Sequence, residues 1–101
     1  MYSLYYMILN DDYSTVHYVG ITSKSLKDRL QSHIYQSKNQ TYQKGYLQRF
    51  LYKYSEISSI SLVEIESGLT REEAIQLEIK HIKFLKNSHP LKNTSSGGEI
   101  S

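Results

Sequence analysis

The feature that most constrains the fold is an apolar run at the start of the chain, from Tyr2 to Leu9, which contains no charged residue. An unbroken run of this kind is typical of a strand covered on both faces, so we expect a central strand here. A second apolar run, Val16 to Ile21, follows a polar turn at 10–14, and the two runs should pair as an antiparallel hairpin. Gly20 closes the second run, where the backbone bends or passes close to another group.

The rest of the chain predicts three helices and one further strand. Ser25 is a candidate N-cap, and the helix after it has an apolar stripe at Leu26, Leu30 and Ile34. Thr70 and Glu73 form a capping box for the longest helix. The helices are predicted at Leu26 to Gln36, Gly45 to Tyr54 and Thr70 to Asn87, and the third strand at Ser58 to Ile65. This order of elements indicates a small α+β fold.

Composition indicates an ordinary globular domain. The 101 residues are 39% hydrophobic and 22% charged, which suits one domain with one modest core. No apolar run reaches the ~18 residues of a membrane helix, and the N-terminus lacks the features of a signal peptide. There is no cysteine, which excludes disulfides and thiolate metal sites and favours a cytoplasmic location. We expect a domain at 1–92 and a loop or linker at 93–101.

The net charge of +2 is compatible with nucleic-acid binding but is weak evidence for it. The ten tyrosines are more informative, because a phenol can stack on a base or exchange a proton. Strand propensity and half-buried core edges should account for most of these tyrosines without any chemistry. For Tyr5 and Tyr18, on the two strands of the hairpin, both interpretations stay open.

Glu78 is the clearest anomaly in the pattern, because it lies in the apolar stripe of the last helix between Ala74 and Ile82. A carboxylate aimed at a core is costly unless it is paired or bound to a cation. Glu78 is therefore either a structural carboxylate with a partner, or a metal ligand or catalytic acid facing a pocket. A lone carboxylate suits Mg²⁺, which retains most of its waters.

Arg29 and His33 lie one turn apart on one flank of the first helix, at the expected rim of the core. They either cover the edge of the core or serve chemistry. In the second case Arg29 would hold phosphate oxygens and His33 would transfer a proton.

These residues, in this order, resemble the GIY-YIG nuclease superfamily over essentially the whole chain. The motifs that carry the resemblance are Ser3-Leu4-Tyr5, Tyr18-Val19-Gly20, Arg29 followed by His33, Glu78 within a helix, and Asn93. Ser3 stands where the family has glycine, which changes local backbone freedom and keeps the tyrosine. Tyr42 is the nearest candidate for a further polar residue that some members carry before the second helix.

The resemblance implies a three-stranded antiparallel sheet flanked by about three helices. It implies hydrolysis of DNA phosphodiester bonds, with Glu78 binding Mg²⁺, or Mn²⁺ in its place. Arg29 would stabilise the transition state, one of Tyr5 and Tyr18 would activate or position the water, and His33 would move a proton or bind phosphate. The resemblance also implies contacts with DNA, and the candidates for these are Asn93, Tyr42 and Lys27. The other role expected of Asn93 is to order the site.

A catalytically silent nucleic-acid-binding module of the same fold is the alternative function. An interaction domain with no role in nucleic-acid chemistry is a second alternative. We also expect that a domain of this size takes its specificity from a separate or fused DNA-binding region.

Overall fold

The N-terminal apolar run forms the middle strand of the sheet, as its pattern predicts. The computed structural model describes residues 1–38, 46–54 and 60–93. Its elements in chain order are β1 (Tyr2–Leu9), β2 (Tyr18–Thr22), α1 (Leu26–Lys38), α2 (Tyr46–Tyr54), β3 (Ile60–Leu69) and α3 (Arg71–Leu85). The strands form an antiparallel sheet in the order β2-β1-β3. The predicted α+β fold with three strands and three helices is confirmed.

The pairing of β1 with β2 sorts the side chains onto two faces. Tyr5 lies opposite Gly20, and Met7 lies opposite Tyr18. These residues face α1 and α2, because Met7 packs with Phe50 of α2 in one apolar cluster. We call this side the phenol face.

The other side of the sheet packs against α3. Leu4, Val19 and Ile21 form a second apolar cluster with Ala74 and Ile82 of that helix. Their strand positions alternate with those of the phenol face, as the two-residue repeat of a strand requires. The two polar sites predicted on α1 and α3 therefore approach the sheet from opposite sides.

Several predicted boundaries shift by two to four residues. β2 begins at Tyr18 and not at Val16, because the backbone N–H of Val16 donates to His89 Nδ1 at 3.0 Å. β3 continues through Gly68, which adopts a φ of 70°, and ends at Leu69. α1 extends to Lys38, and α3 ends at Leu85. The predicted starts at Gly45 and Ser58 fall outside the described residues.

The predicted apolar stripe of α1 is wrong as a description of its buried face. Leu26, Leu30 and Ile34 are only half-buried. The buried side chains of the helix are the polar stripe Arg29, His33 and Ser37. This stripe has the same four-residue spacing, and its burial is possible because a phenol on the sheet supplies a hydrogen-bond partner. None of the three helices in the described part of the chain has the length and apolarity that a membrane span requires.

The predicted capping box of α3 is present. The Thr70 hydroxyl accepts from the Glu73 backbone N–H at 3.2 Å, and the Glu73 carboxylate accepts from the Thr70 backbone N–H at 2.9 Å. The cap fixes where the helix starts and so helps to position Glu78, two turns later.

Replacing Thr70 should destabilise the fold through the loss of this cap. Thr70→Ala is expected to lower the free energy of unfolding by about 1 kcal/mol, the usual cost of removing a hydroxyl cap. Urea denaturation followed by circular dichroism measures the change. Thr70→Ser retains the hydroxyl and should stay close to the wild type, so an equal loss in both variants would show that the cap is not the cause.

Candidate active site

Three rings from three elements meet on the phenol face. The His33 ring lies 5.6 Å from the Tyr18 ring and 6.3 Å from the Tyr5 ring, centroid to centroid, with its plane inclined by 76° and 66° to the two phenols. The two phenol rings are also 6.3 Å apart. The Tyr5 hydroxyl and His33 Nε2 are hydrogen-bonded at 2.9 Å. Tyr5 is fully buried and Tyr18 half-buried, so the cluster runs from the interior toward the surface.

Gly20 makes the space in which the rings meet. A Cβ atom at this position would overlap the Cζ and hydroxyl oxygen of Tyr5, and it would lie 2.9 Å from Cε2 of Tyr18. The glycine is therefore required by close approach of side chains, as its place in the sequence suggested. The Tyr18-Val19-Gly20 motif supplies one phenol and the room for the other.

Burial keeps the imidazole of His33 neutral. Its side chain is 1% exposed. Loss of hydration lowers the pKa of His33 to about 3, and the positive charge of Arg29 acts in the same direction. At neutral pH the ring therefore carries one proton, which lies on either Nδ1 or Nε2.

The surroundings of the ring favour the proton on Nε2. His33 Nδ1 is buried and has no hydrogen-bond partner among the described residues. A proton on Nδ1 would be an unpartnered buried N–H, which is rarer in proteins than an unpartnered acceptor. A proton on Nε2 is donated to the oxygen of Tyr5. We therefore assign His33 as the donor in this bond.

Arg29, one turn before His33 on α1, has a donor atom, Nε, that lacks a partner among the described residues. Its side chain is 8% exposed, and its Nε is buried without a hydrogen-bond partner in the described part of the protein. An unsatisfied donor on a buried cation costs more than one on a neutral group. An anionic oxygen that binds at Arg29 would remove this cost.

Glu78 is buried as the sequence pattern requires, with 2% of its side chain exposed. It lies between Ala74 and Ile82 on the side of α3 that packs against β1 and β2. Neighbouring groups of the chain engage it, so it is not an isolated charge. The structure thus places Tyr5, Tyr18, Arg29 and His33 together on the phenol face, while the helix that bears Glu78 covers the opposite face.

The residues predicted to contact DNA are placed differently from one another. Asn93 is bonded twice to one residue of β2: its Oδ1 accepts from the Val19 N–H at 3.1 Å, and its Nδ2 donates to the Val19 carbonyl at 2.8 Å. This arrangement supports the ordering role for Asn93. Lys27 is exposed on α1, and its contact with DNA stays a prediction. Tyr42 lies outside the described residues.

The structure adds polar residues that the sequence pattern did not single out. Ser37 is fully buried and donates to the Ile34 carbonyl within α1, at 2.6 Å. On the α3 side, the Tyr6 hydroxyl is bonded to His81 Nδ1 at 2.5 Å. The four-residue spacing of Arg29, His33 and Ser37 in the sequence could have indicated that Ser37 is buried. Only the tertiary structure brings Tyr6 to His81.

The structure is thus a small α+β domain with a buried cluster of tyrosine, histidine and arginine on one face of its antiparallel sheet. The family model of the GIY-YIG catalytic domain matches residues 2–92, and the chain belongs to this family. Comparison with curated proteins and with solved structures gave no significant match. GIY-YIG domains are in general endonucleases that act on DNA and depend on a divalent metal ion.

The donor set of this chain fits a hydrated divalent ion. Among the described residues, no three His, Asp or Glu side chains are grouped to hold a metal together. The buried carboxylate of Glu78 is a hard oxygen donor of the kind that Mg²⁺ takes singly while it retains several waters. The site therefore fits Mg²⁺ or Mn²⁺ better than an ion that needs a full set of protein ligands.

Filling the space beside Gly20 should disrupt the cluster. Gly20→Ala is expected to lower the free energy of unfolding by about 1–3 kcal/mol, the usual cost of overpacking, and to break the contact of Tyr5 with His33. Denaturant unfolding measures the first effect, and the NMR shifts of the His33 ring report the second. Gly68→Ala is the matched control, because nothing lies within 4 Å of its Cβ position and only its positive φ opposes the change. Gly68→Ala should lower stability and leave the His33 signals unchanged. Unchanged signals in Gly20→Ala would contradict the packing account.

The neutral state of His33 should be visible on titration. We expect its ring shifts to stay constant between pH 8 and 5, because its pKa lies near 3. In the unfolded chain the imidazole takes up its proton near pH ~6.5. The native state therefore loses stability as the pH falls from ~6.5 toward ~3, where the folded protein is protonated too.

Arg29→Met should raise the pKa of His33 without restoring its usual value, because burial is the larger cause. A His33 midpoint near pH ~6.5 in the wild type would overturn the assignment.

Proposed function

We propose that this chain is a metal-dependent endonuclease that hydrolyses DNA phosphodiester bonds. The observation that carries the proposal is the buried hydrogen bond between Tyr5 and a neutral His33, near Arg29, whose Nε has no hydrogen-bond partner among the described residues. Membership of the GIY-YIG family supports nuclease activity in general.

Tyr5 acts as the general base in this proposal. A free phenol has a pKa of about 10, so it must be stabilised as a phenolate before it can take a proton from water at neutral pH. The Nε2–H of His33 donates to the Tyr5 oxygen and stabilises its negative charge. The guanidinium of Arg29 favours the same charge state. A neutral histidine that stays a donor suits this role better than one that transfers its own proton.

Tyr18 positions the attacking water. Its ring packs against the Tyr5 and His33 rings, and it is half-exposed at the outer end of the cluster. It therefore lies between the buried base and the solvent from which water arrives. Water adds to phosphorus as Tyr5 takes its proton, and the bond from phosphorus to the leaving oxygen breaks.

Arg29 binds an oxygen of the scissile phosphate. Its planar set of donors matches phosphate geometry, and charge-assisted hydrogen bonds of this kind are strong. The extra negative charge that develops during attack strengthens the contact. Binding also satisfies the Nε donor that the protein itself leaves without a partner among the described residues.

Glu78 would hold the divalent ion on the α3 side of the sheet, and because β2 is an edge strand, a phosphate at this edge would meet the ion on one side and Arg29 on the other. When bound, Mg²⁺ stabilises negative charge on phosphate oxygens and on the leaving group. Asn93 maintains the edge of β2, on which Tyr18 and Gly20 lie, through its two bonds to Val19.

The test is cleavage of supercoiled plasmid with Mg²⁺ and with EDTA. The wild type should cut only with the metal, and Tyr5→Phe should slow cutting by about 10²–10⁴-fold, the usual contribution of a general base. Arg29→Met should slow it by about 10²–10³-fold, as for other lost transition-state donors. Glu78→Gln should abolish metal-dependent cutting. Glu72→Gln, on the exposed side of α3, is the matched control and should cut like the wild type.

The pH dependence separates the role of His33 from a structural one. His33→Leu should shift the rising limb of the rate profile to higher pH, because the phenolate of Tyr5 loses a donor, whereas the amide of His33→Gln can still donate and should shift it less. If Glu78→Gln cuts as well as the wild type, the metal role is wrong. Binding of DNA without cleavage in Mg²⁺ and Mn²⁺ would instead favour the catalytically silent module.

A further inference from the structure

A second polar site lies beside the cluster, at the chain segment that leads into β2. Its residues surround a cavity of about 310 Å³ and are His17, Arg49, Phe50, Lys53, Tyr54 and Lys92. We call this cavity the cationic pocket. Three of its described lining residues are permanent cations, and no carboxylate is among them. Phe50 also belongs to the apolar cluster against which Tyr18 packs, and His17 directly precedes Tyr18 in the chain.

The aromatic rings of the pocket already contact other side chains of the protein. The His17 ring stacks on Phe50 with centroids 4.7 Å apart and planes inclined by 25°. Phe50 also contacts Tyr54, with 4.9 Å between the ring centroids. Lys92 Nζ lies 5.8 Å from the Phe50 centroid, and Lys53 Nζ lies 5.2 Å from the Tyr54 centroid. The two ammonium groups thus lie beside the rings, and His17 covers a face of Phe50 on which a base could otherwise stack. This arrangement favours an anion over a base as the ligand.

Backbone hydrogen bonds hold Lys92 at the pocket. Its N–H donates to the His17 carbonyl at 2.7 Å, and the next residue, Asn93, is bonded twice to Val19. The segment that bears Lys92 thus lies along the outer edge of β2. The cation is positioned by the same contacts that support the strand of Tyr18.

The imidazole of His17 lacks hydrogen-bond partners in this arrangement. Both of its ring nitrogens are buried, and neither is bonded to a group in the described part of the chain. Burial lowers the pKa of His17, Lys92 lowers it further, His89 adds to the decrease, and Asp12 opposes it. Among the described residues, the charged and titratable groups around the ring are Lys92 and His89 from the C-terminal segment, Asp12 from the β1–β2 turn, and Arg49, Lys53 and Tyr54 from α2. An anion would satisfy a ring N–H and offset the concentration of positive charge.

We propose that the cationic pocket binds a backbone phosphate of the DNA, near the scissile phosphate on the same strand. The inference rests on the proposed function, since it takes the substrate to be DNA. Phosphates repeat every ~3.4 Å of rise along one strand, so a site beside Tyr18 meets a phosphate within a few nucleotides of the cut. Such a contact fixes the register of the strand and carries no sequence information.

The experiment measures DNA binding in EDTA, where metal-dependent cleavage does not occur. The dissociation constant of a labelled duplex is measured between 50 and 200 mM salt for the wild type, Lys92→Gln and Lys53→Gln. Loss of one phosphate contact should reduce the slope of log affinity against log salt concentration by about 0.9. Between 50 and 200 mM salt, the affinity of each variant should therefore fall by a factor about three times smaller than the factor for the wild type. Lys83→Gln, an exposed cation of α3, is the matched control and should keep the slope of the wild type.

The NMR titration of His17 gives a second readout that surface charge would not produce. Duplex DNA should raise the pKa of His17 in the wild type, and the shift should be reduced in Lys92→Gln. Equal slopes in Lys92→Gln, Lys53→Gln and the wild type, or an equal loss in Lys83→Gln, would overturn the proposal. Inorganic phosphate at the same phosphate concentration should leave the pKa of His17 unchanged, and an equal shift would identify a site for free phosphate instead.

These outcomes are distinct from failure of the nuclease proposal. If the wild type binds DNA with the expected slope and never cuts plasmid, the phosphate site stands and the catalytic roles fall. If it cuts plasmid and the pocket variants bind like the wild type, the catalytic roles stand and the phosphate site falls.

Discussion

The hydrogen bond between Tyr5 and His33 is the interaction on which the site depends. Both groups are almost completely removed from water, and a buried polar group without a partner costs about 1–3 kcal/mol. Each therefore satisfies the other, and α1 is held with its polar stripe toward the sheet. Gly20 is the condition for this contact, because any side chain there would occupy the volume of the phenol. A strand motif and a helix motif that are distant in sequence thus become one unit.

The low polarity around this bond has a further consequence for charge. It keeps His33 neutral, so the cation in the neighbourhood is Arg29 and not the imidazole. It also strengthens any interaction of Arg29 with an anion, since electrostatic effects are larger where water is excluded. The burial that makes the Nε donor of Arg29 costly to leave unbound supports the proposal that this side chain binds phosphate. The exclusion of water thus accounts both for the neutral His33 and for the proposed binding of phosphate by Arg29.

The edge of β2 connects the parts of the molecule that are proposed to contact DNA. The strand provides Tyr18 and Gly20, and its outer edge is bonded to Asn93, the residue after Lys92. That segment brings Lys92 to the cationic pocket, while α3 covers the reverse face with Glu78. A short edge strand bonded on one side to β1 and on the other to an asparagine side chain thus supports both proposed phosphate contacts.

The sequence by itself determined the antiparallel pairing of β1 with β2, the α+β class and the cap of α3, because these depend on local patterns of apolar and capping residues. It also identified Glu78, since a carboxylate in an apolar helical stripe conflicts with its neighbours. It mistook the buried face of α1, because Leu26, Leu30 and Ile34 form the better apolar stripe when the helix is considered alone. Only the tertiary structure supplied the Tyr5 hydroxyl that makes burial of His33 favourable, and only it brought Lys92 to His17. The difference is one of range: patterns within an element record its own preferences, whereas the pairing of a buried polar group is decided by residues far away in the chain.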